Sequence, residues 1–124
     1  MIIVIEKYLD SLSEDILTLD ISYKGIKSLP DLTRFKNLKV LDCSENELTL
    51  LPNLPQNLKE LNCSFNQLTS LPTLPQNLEE LFCSFNKLTW LPTLPQNLEE
   101  LNCGSNELTW LPVLPQNLKN IRLF

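Results

Sequence analysis

The sequence predicts one right-handed solenoid of the α/β horseshoe class, with parallel strands on a concave face and extended segments on the convex side. Three observations support this prediction. Cysteine recurs every twenty residues, at positions 43, 63, 83 and 103, and four proline pairs recur with the same period, from Pro52/Pro55 to Pro112/Pro115. Leucines alternate with variable residues before each cysteine, which is typical of strands with one buried face. At 124 residues, the chain is too short for two ordinary domains.

Residues 1–15 are predicted to form an N-terminal cap. A helix is expected over Ile2 to Asp15, because Ile5, Tyr8, Leu9 and Leu12 have helical spacing. It would cover the open end of the first coil. Residues 16–37 read as a diverged repeat, in which Lys24 occupies the place that asparagine takes in later repeats.

Residues 38–117 form four twenty-residue repeats that share the line L-x-x-L-x-C-x-x-N-x-L-T-x-L-P-x-L-P-x-N. Blocks 58–77 and 78–97 are identical at 16 of 20 positions. The leucine and cysteine columns are expected to form the core. The asparagine column is expected to satisfy backbone groups of its own coil and its neighbour. Two prolines per coil exclude regular helix on the convex side and favour polyproline-like backbone.

Residues 118–124 are predicted to form a final strand. Nothing in the sequence covers its far side, so Ile121, Leu123 and Phe124 are expected to face water beside an unpaired strand edge. The alternative function that follows is self-assembly, as a homodimer joined through this edge.

Composition excludes several classes of function. The chain has no histidine, which excludes histidine-based acid–base, nucleophilic and metal chemistry. We expect no enzyme activity, cofactor or metal. The net charge of -5 and the lack of a basic stripe argue against a nucleic-acid partner. The short apolar run at residues 2–5 is neither a readable signal peptide nor a membrane span, so a cytoplasmic location is expected, and the cysteines are expected to be packed thiols.

The repeat line resembles the leucine-rich repeat, L-x-x-L-x-L-x-x-N-x-L, in its twenty-residue form with a double L-P. That form is familiar from type III secreted effectors of the YopM and IpaH groups, and similar repeats occur in giant-virus proteins. The resemblance covers residues 16–124. It implies a leucine-rich-repeat solenoid and a non-catalytic protein–protein interaction module of viral or virulence origin, acting in the cytoplasm of a cell or an infected host. No segment resembles the ligase domain that follows the repeats in IpaH-type effectors.

The candidate binding residues lie on the concave face and its aromatic flank. Phe82 is expected to point from the concave sheet, Phe65 and Phe85 to lie at the strand exits, and Trp90 and Trp110 to share a column in the loop beyond. Exposed aromatic residues are typical anchors of interfaces. Folding of Phe65 and Phe85 inward, as a spine, is the alternative. Glu60, Glu80 and Glu100 form an acidic row, which either binds a basic partner or keeps the chain soluble.

Overall fold

The computed structural model describes residues 4–124 as one short helix followed by six short strands. The helix, α1, spans Ile5–Asp10. The strands, three residues each, are β1 Thr18–Asp20, β2 Val40–Asp42, β3 Glu60–Asn62, β4 Glu80–Phe82, β5 Glu100–Asn102 and β6 Asn120–Arg122.

The six strands form a single parallel sheet in the order in which they occur along the chain. Each strand pairs with the next in the same register, so that Leu41 lies beside Leu61 and Leu81 beside Leu101. Each coil contributes one strand, which pairs with the strand of the next coil. The predicted solenoid with parallel strands and little helix is confirmed.

The core runs through the solenoid as columns of identical side chains. Within strands β2 to β5 the middle leucine is buried, while its two neighbours are half-exposed. The cysteines follow the strands, and all four are fully buried free thiols. The largest fully buried side chain, Phe35, belongs to the diverged repeat. Burial of these columns supplies the main driving force for folding, because one coil alone could not bury its apolar face.

Asparagines join each coil to the one before it. Asn66 accepts a hydrogen bond from the Leu48 backbone N–H at 2.9 Å, and its Nδ2 donates to the carbonyl oxygens of Cys43 and Cys63, both at 3.1 Å. Asn86 makes the equivalent bonds one coil further on. The expectation that this column satisfies backbone groups of two coils is therefore confirmed.

The proline-bearing segments contain no helix or strand among residues 4–124. Leu54, Leu74 and Leu94 are buried there and close the wall opposite the sheet. This arrangement agrees with the extended convex side expected from two prolines in each repeat.

Helix α1 is shorter than the helix expected over Ile2 to Asp15. It ends at Asp10, because the Ser11 hydroxyl donates to the Tyr8 carbonyl at 2.6 Å and the Ser13 hydroxyl accepts from the Asp15 N–H at 3.1 Å. Ile2 and Ile3 lie outside the described residues. Ile5 and Leu9 are buried against the core. None of the helical backbone in residues 4–124 is long and apolar enough to cross a membrane.

Candidate functional site

The register of the sheet places the three predicted glutamates side by side on the concave face. Glu60 pairs with Glu80, and Glu80 pairs with Glu100, on adjacent strands β3, β4 and β5. Adjacent parallel strands are about 4.8 Å apart, and like charges at that separation repel. We call Glu60, Glu80 and Glu100 the glutamate row.

A second line of charges runs beside the glutamate row and is partly neutralised. Lys59 pairs with Glu79, and Lys119 pairs with Glu99, each at 3.2 Å between Nζ and a carboxylate oxygen. Among residues 4–124, the glutamate row takes part in none of the three salt bridges. The negative charge of the glutamate row is therefore not balanced by a salt bridge within this part of the chain.

Glu80 shows the electrostatic effect of this arrangement. Its pKa is raised, first by a hydrogen bond with Glu60, then by partial burial and by the negative charges of Glu60, Glu79 and Glu99. A carboxyl whose neighbours are carboxylates holds its proton more tightly than a free one. A positive group brought to this face would relieve the repulsion.

The residue that ends each strand on the concave face has a structural role in four of six coils. Asp20, Asp42, Asn62 and Asn102 each accept a hydrogen bond through Oδ1 from the backbone N–H two residues later, at 3.0 to 3.2 Å. Such bonds stabilise the turn that leaves the strand. Phe82 occupies the same column between Asn62 and Asn102, and its ring offers no acceptor.

An open depression of about 440 Å³ lies on the concave face beside Phe82. Its walls carry an aromatic ring, a carboxylate, a guanidinium and amides, contributed by Phe82, Glu100, Leu101, Asn102, Asn120, Ile121 and Arg122. The sequence patterns do not indicate Arg122, Asn102 or Asn120 as candidate binding residues. Arg122 could have been found by its column, because it breaks the Asp/Asn set as Phe82 does.

Phe65 and Phe85 stack on each other at the surface where the chain leaves strands β3 and β4. Their ring centroids are 4.4 Å apart and the planes differ by 8°. The rings remain 47% and 51% exposed, so the inward spine considered as an alternative is not formed. Both residues have left-handed backbone, with φ of 56°, as do Tyr23, Glu45 and Ser105 at the same position of other coils. This conformation is unfavourable for a residue that has a Cβ, and at Phe65 and Phe85 it accompanies an exposed side chain.

Trp90 and Trp110 lie on the surface of the loops beyond the asparagine column. They are 39% and 55% exposed, and Leu50, at the same repeat position, is 62% exposed. The Thr109 N–H donates to the Thr89 carbonyl at 3.1 Å, which links the two tryptophan-bearing loops. Within residues 4–124, the only stacked aromatic pair is Phe65–Phe85, so the structure does not bring Phe82 or the tryptophans into that stack.

The predicted self-association residues lie at the last coil. All three residues of β6 are exposed, Ile121 to 46%, and Phe124 is 89% exposed. Leu123 is only partly buried and packs against the core. The Phe124 carbonyl oxygen would lie 3.1 Å from a Cβ added at Gly104, so the serine that earlier repeats have at this position would make a tight contact here.

The buried thiols are poor candidates for chemistry. Burial raises the pKa of Cys43 to about 12 and that of Cys103 to about 11, and it raises the pKa values of Cys63 and Cys83 as well. Nucleophilic attack and metal binding both require the thiolate. Among residues 4–124, no group of cysteine and acidic side chains could hold a metal ion.

Comparison with known proteins gave matches of sequence and of structure. The leucine-rich repeat family model matches residues 37–58 and 57–78. No curated protein is significantly similar in sequence. YopM from Yersinia enterocolitica is 40% identical over 90% of this chain, with a TM-score of 0.85, and the match covers 24% of that structure. A leucine-rich repeat domain of a Shigella effector is 39% identical over 95% of this chain, with a TM-score of 0.85, covering 52% of that domain.

YopM from Yersinia pestis, a leucine-rich effector protein, is 40% identical over 90% of this chain, with a TM-score of 0.78, and the match covers 31% of that chain. The chain thus spans between about a quarter and about half of the length of these three structures. At this level of identity the likeness extends to the repeat sequence as well as to the fold.

Proposed function

Since the chain is a leucine-rich repeat protein like these effectors, we propose that it is a non-catalytic module that binds a partner protein through its concave face and aromatic flank. Leucine-rich repeat domains are generally protein-interaction modules. The partner in this proposal is a protein rather than a nucleic acid, because the chain carries a net charge of -5. Its proposed place of action is the cytoplasm of a cell or of an infected host.

The observation that carries this proposal is the set of exposed aromatic side chains on a regular scaffold. The stacked rings of Phe65 and Phe85 and the indoles of Trp90 and Trp110 each remain at least 39% exposed. Within residues 4–124, no other segment of the chain covers the exposed parts of these side chains. Aromatic side chains presented in this way bring large contact area at little entropic cost, which is why interfaces are enriched in them.

Binding experiments with a paired variant test the proposal. The chain is immobilised, a partner is captured from a lysate of candidate host cells, and the partner is then purified and titrated. Replacing Phe82→Ala together with Trp90→Ala is expected to weaken the affinity at least about tenfold, which is the size of effect seen at interface anchors. Val113→Ala is the matched control, because Val113 is 91% exposed but lies between the prolines of the convex side. If both variants weaken the affinity equally, or if neither weakens it, the proposed binding surface is contradicted.

A second candidate function is self-association through β6. It is supported by the exposure of Ile121 and Phe124 beside the last strand of the sheet. A second copy pairing there would form an isologous interface across a two-fold axis. The replacement Phe124→Lys is expected to dissociate such a dimer without unfolding the chain, since the side chain is exposed. Sedimentation velocity of the 124-residue chain at tens of micromolar checks this, and a strictly monomeric unmodified chain would exclude it.

A further inference from the structure

We propose that the concave face around Phe82 binds a basic segment of the partner, with one lysine or arginine side chain between the Phe82 ring and the carboxylates of Glu80 and Glu100. This inference rests on the proposed interaction function, because it assigns the chemistry of the partner to the same face. It also assigns Phe82 a role that the fold itself does not require.

Phe82 replaces a residue type that stabilises the repeat. In the two neighbouring coils, Asn62 and Asn102 accept the backbone N–H of Ser64 and Gly104 at 3.1 and 3.2 Å. The phenyl ring gives up this hydrogen bond, and it does not join the core, because the side chain remains half-exposed on the concave face. A position where a local rule of the repeat is broken without a gain in packing is a candidate functional position.

The ring has no aromatic partner in its own column. Its neighbours in register are the amides of Asn62 and Asn102, and Phe65 and Phe85 stack on each other instead. The side chain is partly exposed and lines the depression, so part of the ring is available to a ligand. Aromatic faces bind ammonium and guanidinium groups, and the aliphatic stem of lysine or arginine packs well against a ring.

Charge complementarity selects a cation as the occupant. The strand that carries Phe82 also carries Glu80, and Glu100 lines the depression beside the ring. Lysines within the chain pair with Glu79 and Glu99, whereas no salt bridge among residues 4–124 neutralises the glutamate row. A partner cation would meet a ring and two carboxylates together, and would remove a repulsion that the free protein carries.

Arg122 limits where that cation can bind. It lies two strands from Phe82 in the same column, at the other end of the depression of about 440 Å³. Its own positive charge disfavours a second cation at that end. The basic side chain is therefore placed over β4 and β5. The Asn102 Nδ2, whose Oδ1 already accepts the Gly104 N–H, and the Asn120 amide can then bind the backbone of the same segment.

The decisive variant is Phe82→Asn, which restores the residue type found in both neighbouring coils. The probe is a fluorescein-labelled twelve-residue peptide in which lysine alternates with threonine, and the reference probe carries glutamate in place of lysine. We expect Phe82→Asn to raise the melting temperature of the full chain while weakening binding of the lysine peptide at least fivefold. The glutamate peptide is expected not to bind.

A charge-matched pair of variants separates site binding from general attraction. Glu80→Gln with Glu100→Gln is expected to weaken the lysine peptide at least tenfold. Glu14→Gln with Glu107→Gln makes the same change in net charge at exposed positions outside the concave face and is expected to alter the affinity less than twofold. Equal effects of the two pairs would overturn the inference, as would undiminished binding to Phe82→Asn or a lower melting temperature of that variant.

Failure of this inference can be told apart from failure of the proposed function. Suppose that the purified partner no longer binds the variant with Phe82→Ala and Trp90→Ala, but binds the variant with Glu80→Gln and Glu100→Gln normally. If the lysine peptide also fails to displace this partner, the proposal of a basic segment is overturned and the proposed interaction function is not. Loss of partner binding in both variants, with competition by the lysine peptide, supports both proposals.

Discussion

At the scale of single residues, the side chains that hold the coils together and those offered as a binding surface occupy different columns of the repeat. The asparagine column is buried or half-buried and fully hydrogen-bonded, and no buried side-chain polar atom among residues 4–124 lacks a partner. The aromatic and glutamate positions contribute no comparable bonds to the backbone. Substitutions in the two sets should therefore affect different properties, namely stability in the first and binding in the second.

Asn86→Ala tests the structural column. The replacement removes the acceptor of the Leu68 N–H and the donor to the carbonyls of Cys63, Cys83 and Ser84. Leaving buried backbone groups unpaired costs about 1–3 kcal/mol each, so we expect the free energy of unfolding to fall by about 3 kcal/mol. Urea unfolding followed by circular dichroism measures this loss.

Asn97→Ala is the control for that measurement. Asn97 is also an asparagine of the repeat, but it is exposed, and an exposed substitution of this kind changes stability by about 0.5 kcal/mol or less. A similar loss in both variants would show that the buried amide does not join the coils in the way described.

At the scale of elements, the two ends of the solenoid are unlike each other. Helix α1 buries Ile5 and Leu9 against the first coil, and a salt bridge of 3.2 Å between Arg34 and Asp10 ties it to the diverged repeat. Strand β6 covers the other end of the core and is itself exposed along its whole length. Stability in repeat proteins is a sum over neighbouring coils, so an end that loses its cover loses local stability first.

Leu9→Ala is expected to lower the free energy of unfolding by about 3 kcal/mol, in the range of large-to-small substitutions in a core, because Leu9 is fully buried. Tyr8→Ala on the same helix removes a side chain that is 40% exposed and should cost clearly less. Hydrogen exchange would locate the loss, which we expect in β1 and β2 before β4 and β5. Uniform loss of protection along the chain would contradict this role of α1.

At the scale of the whole molecule, negative charge on the concave face opposes folding at neutral pH. The pKa of Glu80 is raised in the folded state, so the folded chain keeps this proton to a higher pH than the unfolded chain does. The stability that depends on the protonated form is present at low pH and is lost as the pH rises through the folded-state pKa.

Glu80→Gln is therefore expected to stabilise the chain at pH 7, by less than about 1 kcal/mol because the site is partly solvated. The advantage over the unmodified chain should shrink as the pH falls through the raised pKa of Glu80. Urea unfolding of both proteins across a pH series measures the difference. The lowered pKa values of Asp20 and Asp31 act in the opposite direction but equally in both proteins. An advantage that does not change with pH would contradict the electrostatic account.

The repeat could be predicted from sequence to the level of single columns, because each position recurs and its period fixes its side of the coil. The asparagine contacts followed from the same reasoning. The length of α1 did not, since the bonds made by Ser11 and Ser13 compete with a helical pattern that continues to Leu12. The depression beside Phe82 could not be predicted, because the columns align Arg122 and Asn120 with it but do not give the space left between the side chains.

The coil-to-coil bonds of the asparagine column have a consequence for how such a gene can change. Because Asn86 and Asn106 accept the same type of N–H one coil apart, loss of residues 78–97 by recombination between near-identical repeats would let Asn106 take the partners of Asn86. The shortened protein would keep its register and its core. It would lose Phe82, Phe85 and Trp90 together, so one genetic event could discard most of the aromatic surface and leave a well-folded scaffold behind.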